Sequence, residues 1–316
     1  MSAAGGAGAG AGARDDSDSE GGTTVLGPEP TIDVMPSEDR GEDKKFLALP
    51  YAKILPKPPF TMRVLGTIGA GKTSFIWTMV NKLYKGYWDE VIVYQGSQDS
   101  VKFWPKIPQK NVVVLTDWDG DEFNAYFKKL EHDQVRRFAE GKRLLNVLIV
   151  FDDMIAARCD KVSAGGKSVL QDLIARCRHP NVSVIIGTQD SKVGTPPGCR
   201  NQMMYNVIFR MQSNDLKKVA EDSCGCLDPK EFMRVYWREV GFKPHAYLLI
   251  DFKAPLQDQI RRGFSTILHP KSDKLNELTQ GRIAGAVAGG KRPRGGGTAA
   301  RASGGPADGS GSESDD

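Results

Sequence analysis

Nine residues, Gly66, Thr67, Ile68, Gly69, Ala70, Gly71, Lys72, Thr73 and Ser74, constrain this chain most. They fit G-x-x-x-x-G-K-[ST] and lie between a short apolar run and an amphipathic one. The glycines let the backbone wrap a polyphosphate with successive N–H groups pointing inward, and a following helix adds the positive end of its dipole. Such a loop needs a strand before it and a helix after it. MRVLG (62–66) reads as that strand and 72–84 as that helix. In this setting Lys72 reaches the β and γ phosphates and Thr73 ligates Mg²⁺, so the expected cofactors are ATP and Mg²⁺.

Further Val- and Ile-rich runs read as strands: EVIVYQ (90–95), NVVVLT (111–116), NVLIVF (146–151), VSVIIGTQ (182–189), NVIFRM (206–211) and AYLLIDF (246–252). Helical patterns fall at 121–140, 167–177, 214–222 and 228–237, where Trp237, like Trp77 in the first helix, reads as a core residue. Apolar strands alternating with helices predict an α/β fold, a P-loop NTPase core with a mainly parallel sheet flanked by helices.

The run LLNVLIVFDDM ends in Asp152 and Asp153. A buried strand hides carboxylates only at high cost, so both should emerge at its C-terminal edge, where ligands of α/β proteins bind. Asp152 there holds Mg²⁺ through water and Asp153 orients or deprotonates the attacking water. The gap from Lys72 to Asp152 leaves room for two strands, which favours ATPases with an inserted strand; the guanine-reading Asn-Lys-x-Asp is not found. VSVIIGTQ ends in Gln189, an amide that serves either as a γ-phosphate sensor or as a cap, and its position relative to the acids favours the sensor.

Residues 1–43 are Gly, Ala, Ser and acid, with too few apolar side chains to offset the entropy of ordering, and 282–316 are similar; both read as disordered tails around an ATPase domain at 44–281. The formal net charge of +4 is unevenly spread: residues 1–43 carry −8 and 44–281 carry +11, an excess compatible with a polyanionic partner. KRPR (291–294) is a candidate nuclear-import or nucleic-acid patch. The five cysteines, with Cys224 and Cys226 the one close pair, have no disulfide-framework spacing and read as reduced thiols rather than a zinc site. With no apolar run of about 18 residues and no secretory pattern at the start, the expectation is an intracellular protein without a membrane partner.

GTIGAGKTS, VIVYQGSQDS, VLIVFDDM, RHPNVSVIIGTQ and CRNQMMYNVIFR, in that order, resemble the viral genome-packaging ATPases of the FtsK-HerA superfamily, the group that includes the poxvirus packaging ATPase. The resemblance runs from about 58 to 268. It implies a homo-oligomeric ring, typically hexameric, that moves double-stranded DNA into a preformed capsid at virion assembly sites in the host cytoplasm or nucleus, with capsid proteins as further partners. It also implies an arginine finger, for which Arg200 and Arg178 are the candidates and Arg176 a weaker third. One departure is Asp153, where many relatives have Glu. Arg158, Lys161 and Lys167 beside Gly165-Gly166 form either a DNA-contacting pore loop or an ordinary solvated loop. Two other functions fit less closely: an ATP-dependent assembly switch, and a cellular DNA-transfer translocase, disfavoured because no winged-helix segment follows the motor.

Overall fold

A computed structural model describes residues 43–96, 104, 111–153, 168–190, 195–225 and 227–268. These residues belong to a unit spanning Asp33–Leu278. The tails, KRPR, Cys159, Cys226 and the basic loop with Arg158, Lys161 and Lys167 lie outside the described residues.

The strands are β1 (Thr61–Leu65), β2 (Glu90–Gln95), β3 (Val112–Leu115), β4 (Val147–Asp152), β5 (Val182–Thr188), β6 (Tyr205–Ile208), β7 (Leu248–Asp251), β8 (Ile260–Arg262) and β9 (Thr266–Ile267). They form one sheet in the order β3-β2-β4-β5-β1-β6-β7-β8-β9. From β3 to β6 all neighbours are parallel, and β7, β8 and β9 add on antiparallel. The helices are α1 (Lys44–Leu47), α2 (Lys72–Thr78), α3 (Gly120–Ala139), α4 (Val169–Arg176), α5 (Pro197–Arg200), α6 (Ser213–Ser223) and α7 (Pro229–Tyr236).

The four strands β1, β4, β5 and β6 are buried along their whole length, as continuous apolar runs with helices on both faces must be. Alternation then sorts their side chains. Met62, Val64, Val91, Val93, Leu148, Val150 and Ile185 pack with Phe75, Ile76, Met79 and Val80 from α2 and the turn after it. Ile92, Ile149, Phe151, Val184 and Ile186 face Phe123, Phe127 and Leu130 of α3 and Leu170, Leu173 and Ile174 of α4. Leu65, Ile208, Leu248 and Ile250 face Leu216, Val219, Phe232 and Val235 of α6 and α7.

Several expectations shift. The helix expected at 72–84 is α-helical only to Thr78 and continues as a π turn over Met79–Leu83, closed by Tyr84 N–H donating to Met79 O at 2.9 Å; α7 likewise runs into a π turn at Trp237–Gly241. The strand expected to reach 211 stops at Ile208. Thr67 N–H and the Tyr236 hydroxyl take the carbonyls of Arg210 and Phe209, and that hydroxyl also accepts the Met211 N–H, so the chain turns out of the sheet. β7 is shorter than 246–252 because the Asp251 carboxylate turns the chain by accepting from Lys253 and Ala254 N–H. β8, β9, α1 and α5 are too short to leave a periodic pattern. Asp43, placed in the front tail by composition, instead caps α1 through Phe46 N–H and accepts from the Tyr87 hydroxyl at 2.5 Å. Trp77 and Trp237 are half-buried against the core, as expected.

Candidate active site

The phosphate-loop motif leaves β1 at Gly66 and enters α2 at Lys72. Gly66 N–H donates to Thr188 O at 3.3 Å and Thr67 N–H to Arg210 O at 3.0 Å, so the segments at the ends of the two neighbouring strands, β5 and β6, hold the loop on either side. Gly69 and Gly71 have φ of 74° and 107°, in the left-handed region that side chains disfavour. A Cβ at Gly71 would also stand 3.2 Å from His245 Nδ1, because His245 leans on the loop with Nδ1 3.4 Å from Ala70 O. The Lys72 ammonium curls back over the loop, donating to Gly66 O at 2.9 Å and Thr67 O at 3.2 Å. Burial pushes its pKa down, and Asp153 and Asp152 pull it back up. The Ser74 carbonyl accepts the Thr78 hydroxyl at 2.7 Å within α2.

One strand, β5, separates β1 from β4, so the motif and the acids come together across it. In the sheet register Gln95 of β2 pairs with Asp152 of β4, Asp152 with Gly187 of β5, and Gly187 with Val64 of β1. This row lies on the α2 face, where the first turn of α2 presents Thr73. The Thr73 hydroxyl donates to Asp152 Oδ2 at 2.8 Å. Gly187 makes room: a Cβ there would stand 2.7 Å from Asp152 Oδ1 and 3.1 Å from Ile76 Cδ1. Asp152 is fully buried, and its Oδ1 has no hydrogen-bond partner among the described residues. Burial raises its pKa and Asp153 adds to the rise, while Thr73, Lys72 and Gln95 oppose it.

Asp153 leaves the strand with φ of 56°, a conformation Asp tolerates better than most side chains and that turns it away from Asp152. Its two carboxylate oxygens accept from Gln189 Nε2 at 2.9 and 2.8 Å. A carboxylate and an amide therefore stand together at the ends of β4 and β5. The hydroxyl of Thr73 and the carboxylate of Asp152 supply hard oxygens of the kind that Mg²⁺ takes alongside phosphate oxygens and water.

The arginines are placed differently. Arg178 and Arg200 precede β5 and β6, at the edge of the sheet opposite the phosphate loop. Arg178 is exposed. Arg200 pairs with Asp222 at 2.8 Å and shares a cluster with buried Arg63 of β1, whose guanidinium burial pushes down to about 10, with Arg200 adding to the fall and Asp222 opposing it. Arg176 is held by Glu131 at 3.0 Å and by Asp172, and lies over the Phe127 ring.

Sequence reasoning missed Gln95, Gly187 and His245. The first two carried a signal: a polar residue closes one apolar strand and a glycine interrupts another at the edge that bears the acids. His245 carried none. Among the described residues no cluster of His, Cys, Asp and Glu could hold a metal by itself, and Cys177 and Cys199 are buried.

A parallel sheet with one strand inserted between a phosphate-loop strand and an acid-tipped strand defines a P-loop ATPase, and this chain is one. Within that class it belongs to the family described as Poxvirus A32 protein, whose sequence model matches residues 49–232. No curated protein matches the chain in sequence. Among solved structures it is similar to B204, the DNA-packaging ATPase from Sulfolobus turreted icosahedral virus (16% identity, 67% of this chain and 100% of that chain, TM-score 0.48). Similar too are EssC (ATPases 2 and 3) from Geobacillus thermodenitrificans (12%, 71% and 44%, TM-score 0.47) and the type VII secretion ATPase EccC from Thermomonospora curvata (16%, 71% and 28%, TM-score 0.44).

Proposed function

We propose that this protein is an ATP-driven motor that translocates double-stranded DNA and packages a viral genome into a preformed capsid, working as a homo-oligomeric ring of six at virion assembly sites in the host cytoplasm or nucleus. The observation that carries the chemistry is the meeting of two pairs, Thr73 with Asp152 and Asp153 with Gln189, beside the phosphate loop. The motor is the domain at 44–281, and the tails stand outside it.

Loop N–H groups and the start of α2 bind the phosphates, and Lys72 moves from its own carbonyls to the β and γ oxygens. Thr73 and Asp152 hold Mg²⁺, which when bound neutralises charge on the β and γ phosphates. Asp153 takes the proton of the attacking water and stays aimed because Gln189 grips both of its oxygens; release of that grip toward the γ-phosphate makes Gln189 the sensor. A guanidinium from the neighbouring subunit completes the site. Arg178 suits this better than Arg200 or Arg176, since it is exposed while the others are engaged by carboxylates of their own chain. The +11 of residues 44–281 supports backbone contacts to DNA.

Two variants test the reading. Lys72→Ala should lose ATP binding and turnover, whereas Asp153→Asn should bind ATP and lose about 10² to 10⁴ of its rate, the size expected for a general base. Packaging should fail in both. Normal turnover in Asp153→Asn removes Asp153 from the mechanism; packaging that survives in that variant favours an assembly switch.

A further inference from the structure

Gln95 closes β2 in register with Asp152, on the same face of the sheet. It is 1% exposed. Trp104, equally buried, donates its indole Nε1–H to Gln95 Oε1 at 2.8 Å. An indole N–H can only donate, so this bond decides which end of the amide is oxygen and turns the Nε2 amino group away from Trp104. Nε2 has no hydrogen-bond partner among the described residues, and neither has Asp152 Oδ1. The Gln95 side chain, paired in register with Asp152, nevertheless favours the ionised carboxylate. An open donor and an open acceptor, both buried and both beside the metal pair, are costly to leave unmade.

We propose that Gln95 is a positioning residue: with its amide oriented by Trp104, its amino group holds Asp152 Oδ1 and keeps the carboxylate aimed for Mg²⁺ while Thr73 moves from Oδ2 to the ion. The inference rests on the reading of Thr73 and Asp152 as the metal pair. It makes the indole of Trp104 an internal reporter, two side chains away from the ion.

The test uses the full chain with three variants. Gln95→Leu removes the amide, Trp104→Phe keeps a ring but removes the donor, and Thr73→Ala serves as the metal reference. The Mg²⁺ concentration for half-maximal ATPase should rise about 10-fold or more in Gln95→Leu and Trp104→Phe, the range seen when a partner behind a metal ligand is removed. ATP binding measured without Mg²⁺ should be unchanged. The double variant should be no worse than the worse single, because both act on one amide. Independently of turnover, the emission of Trp104, taken as wild type minus Trp104→Phe, should change when Mg²⁺ is added to the ADP-bound protein, and Gln95→Leu should abolish that change.

A folded Gln95→Leu protein with wild-type Mg²⁺ dependence overturns the proposal, as does a Trp104 signal indifferent to Mg²⁺. If Gln95→Leu does not fold, Trp104→Phe decides, and wild-type Mg²⁺ dependence there also overturns it. If Thr73→Ala shifts the dependence and the other two do not, Gln95 alone is misassigned. If Thr73→Ala shifts nothing, the metal pair itself is wrong and the Gln95 role falls with it.

Discussion

Asp152 shows how a single side chain is fixed by neighbours that are far away in sequence. Thr73 satisfies one of its oxygens, and Gly187 leaves the space that the other one occupies. Gly187→Ala would put a methyl group 2.7 Å from Oδ1 and 3.1 Å from Ile76 Cδ1, so the Asp152 carboxylate would have to shift. We expect that variant to fold and bind ATP through Lys72 but to lose about 100-fold in ATPase, the cost of misplacing a reacting group by about an ångström; wild-type turnover would show that the carboxylate tolerates displacement. The loop, the two acids and Gln189 could be read from the sequence because each sits in a contiguous motif or closes an apolar strand. Gln95 and Gly187 could not be assigned roles that way. Their importance comes from the row across β2, β4 and β5, and register between strands is a three-dimensional fact.

Asp89, just before β2, ties several segments together at the entry end of the sheet. Its carboxylate accepts from both guanidinium nitrogens of Arg143 at 2.8 and 2.9 Å, from Lys45 of α1 at 3.1 Å and from Asn146 N–H at 2.7 Å, so one group ties α1, β2 and the entry to β4. Burial alone would raise its pKa, but these donors outweigh burial and bring it down to about 2, below the ordinary 3.8. A carboxyl depressed by folding contributes stability above its unfolded pKa, and that contribution fades as pH falls through the folded value. Asp89→Asn should therefore lower stability at neutral pH by about 1 kcal/mol, allowing for the exposure of Arg143 and Lys45. The gap from wild type, followed by denaturant unfolding, should close between about pH 4 and pH 2; a gap independent of pH would mean that Asp89 acts through packing alone. At this scale the long apolar strands and the helices α3, α4, α6 and α7 were legible, because their periodicity is long enough to count. The antiparallel extension β8-β9 and the π turns were not. Their residues follow the sheet edge and the packing of Tyr84 and Trp237 rather than any local pattern.

The whole chain sets an acidic front segment of −8 against a central region of +11, which predicts competition between that segment and DNA for the same basic surface. Removing residues 1–42, while keeping Asp43 as the cap of α1, should tighten DNA binding at low salt and lose that advantage as salt screens the charges. Affinity unchanged at every salt concentration would refute the competition. Exposed Arg178 lies at the end of the sheet opposite the phosphate site, so its guanidinium meets the charge that builds on a γ-phosphoryl group only in a neighbouring subunit, and turnover should depend on assembly. The most direct measurement is steady-state ATPase against protein concentration, with and without long double-stranded DNA and with Lys72→Ala as the blank. The account predicts a rate per subunit that rises cooperatively with concentration and rises again with DNA. A slow rate indifferent to both would contradict it.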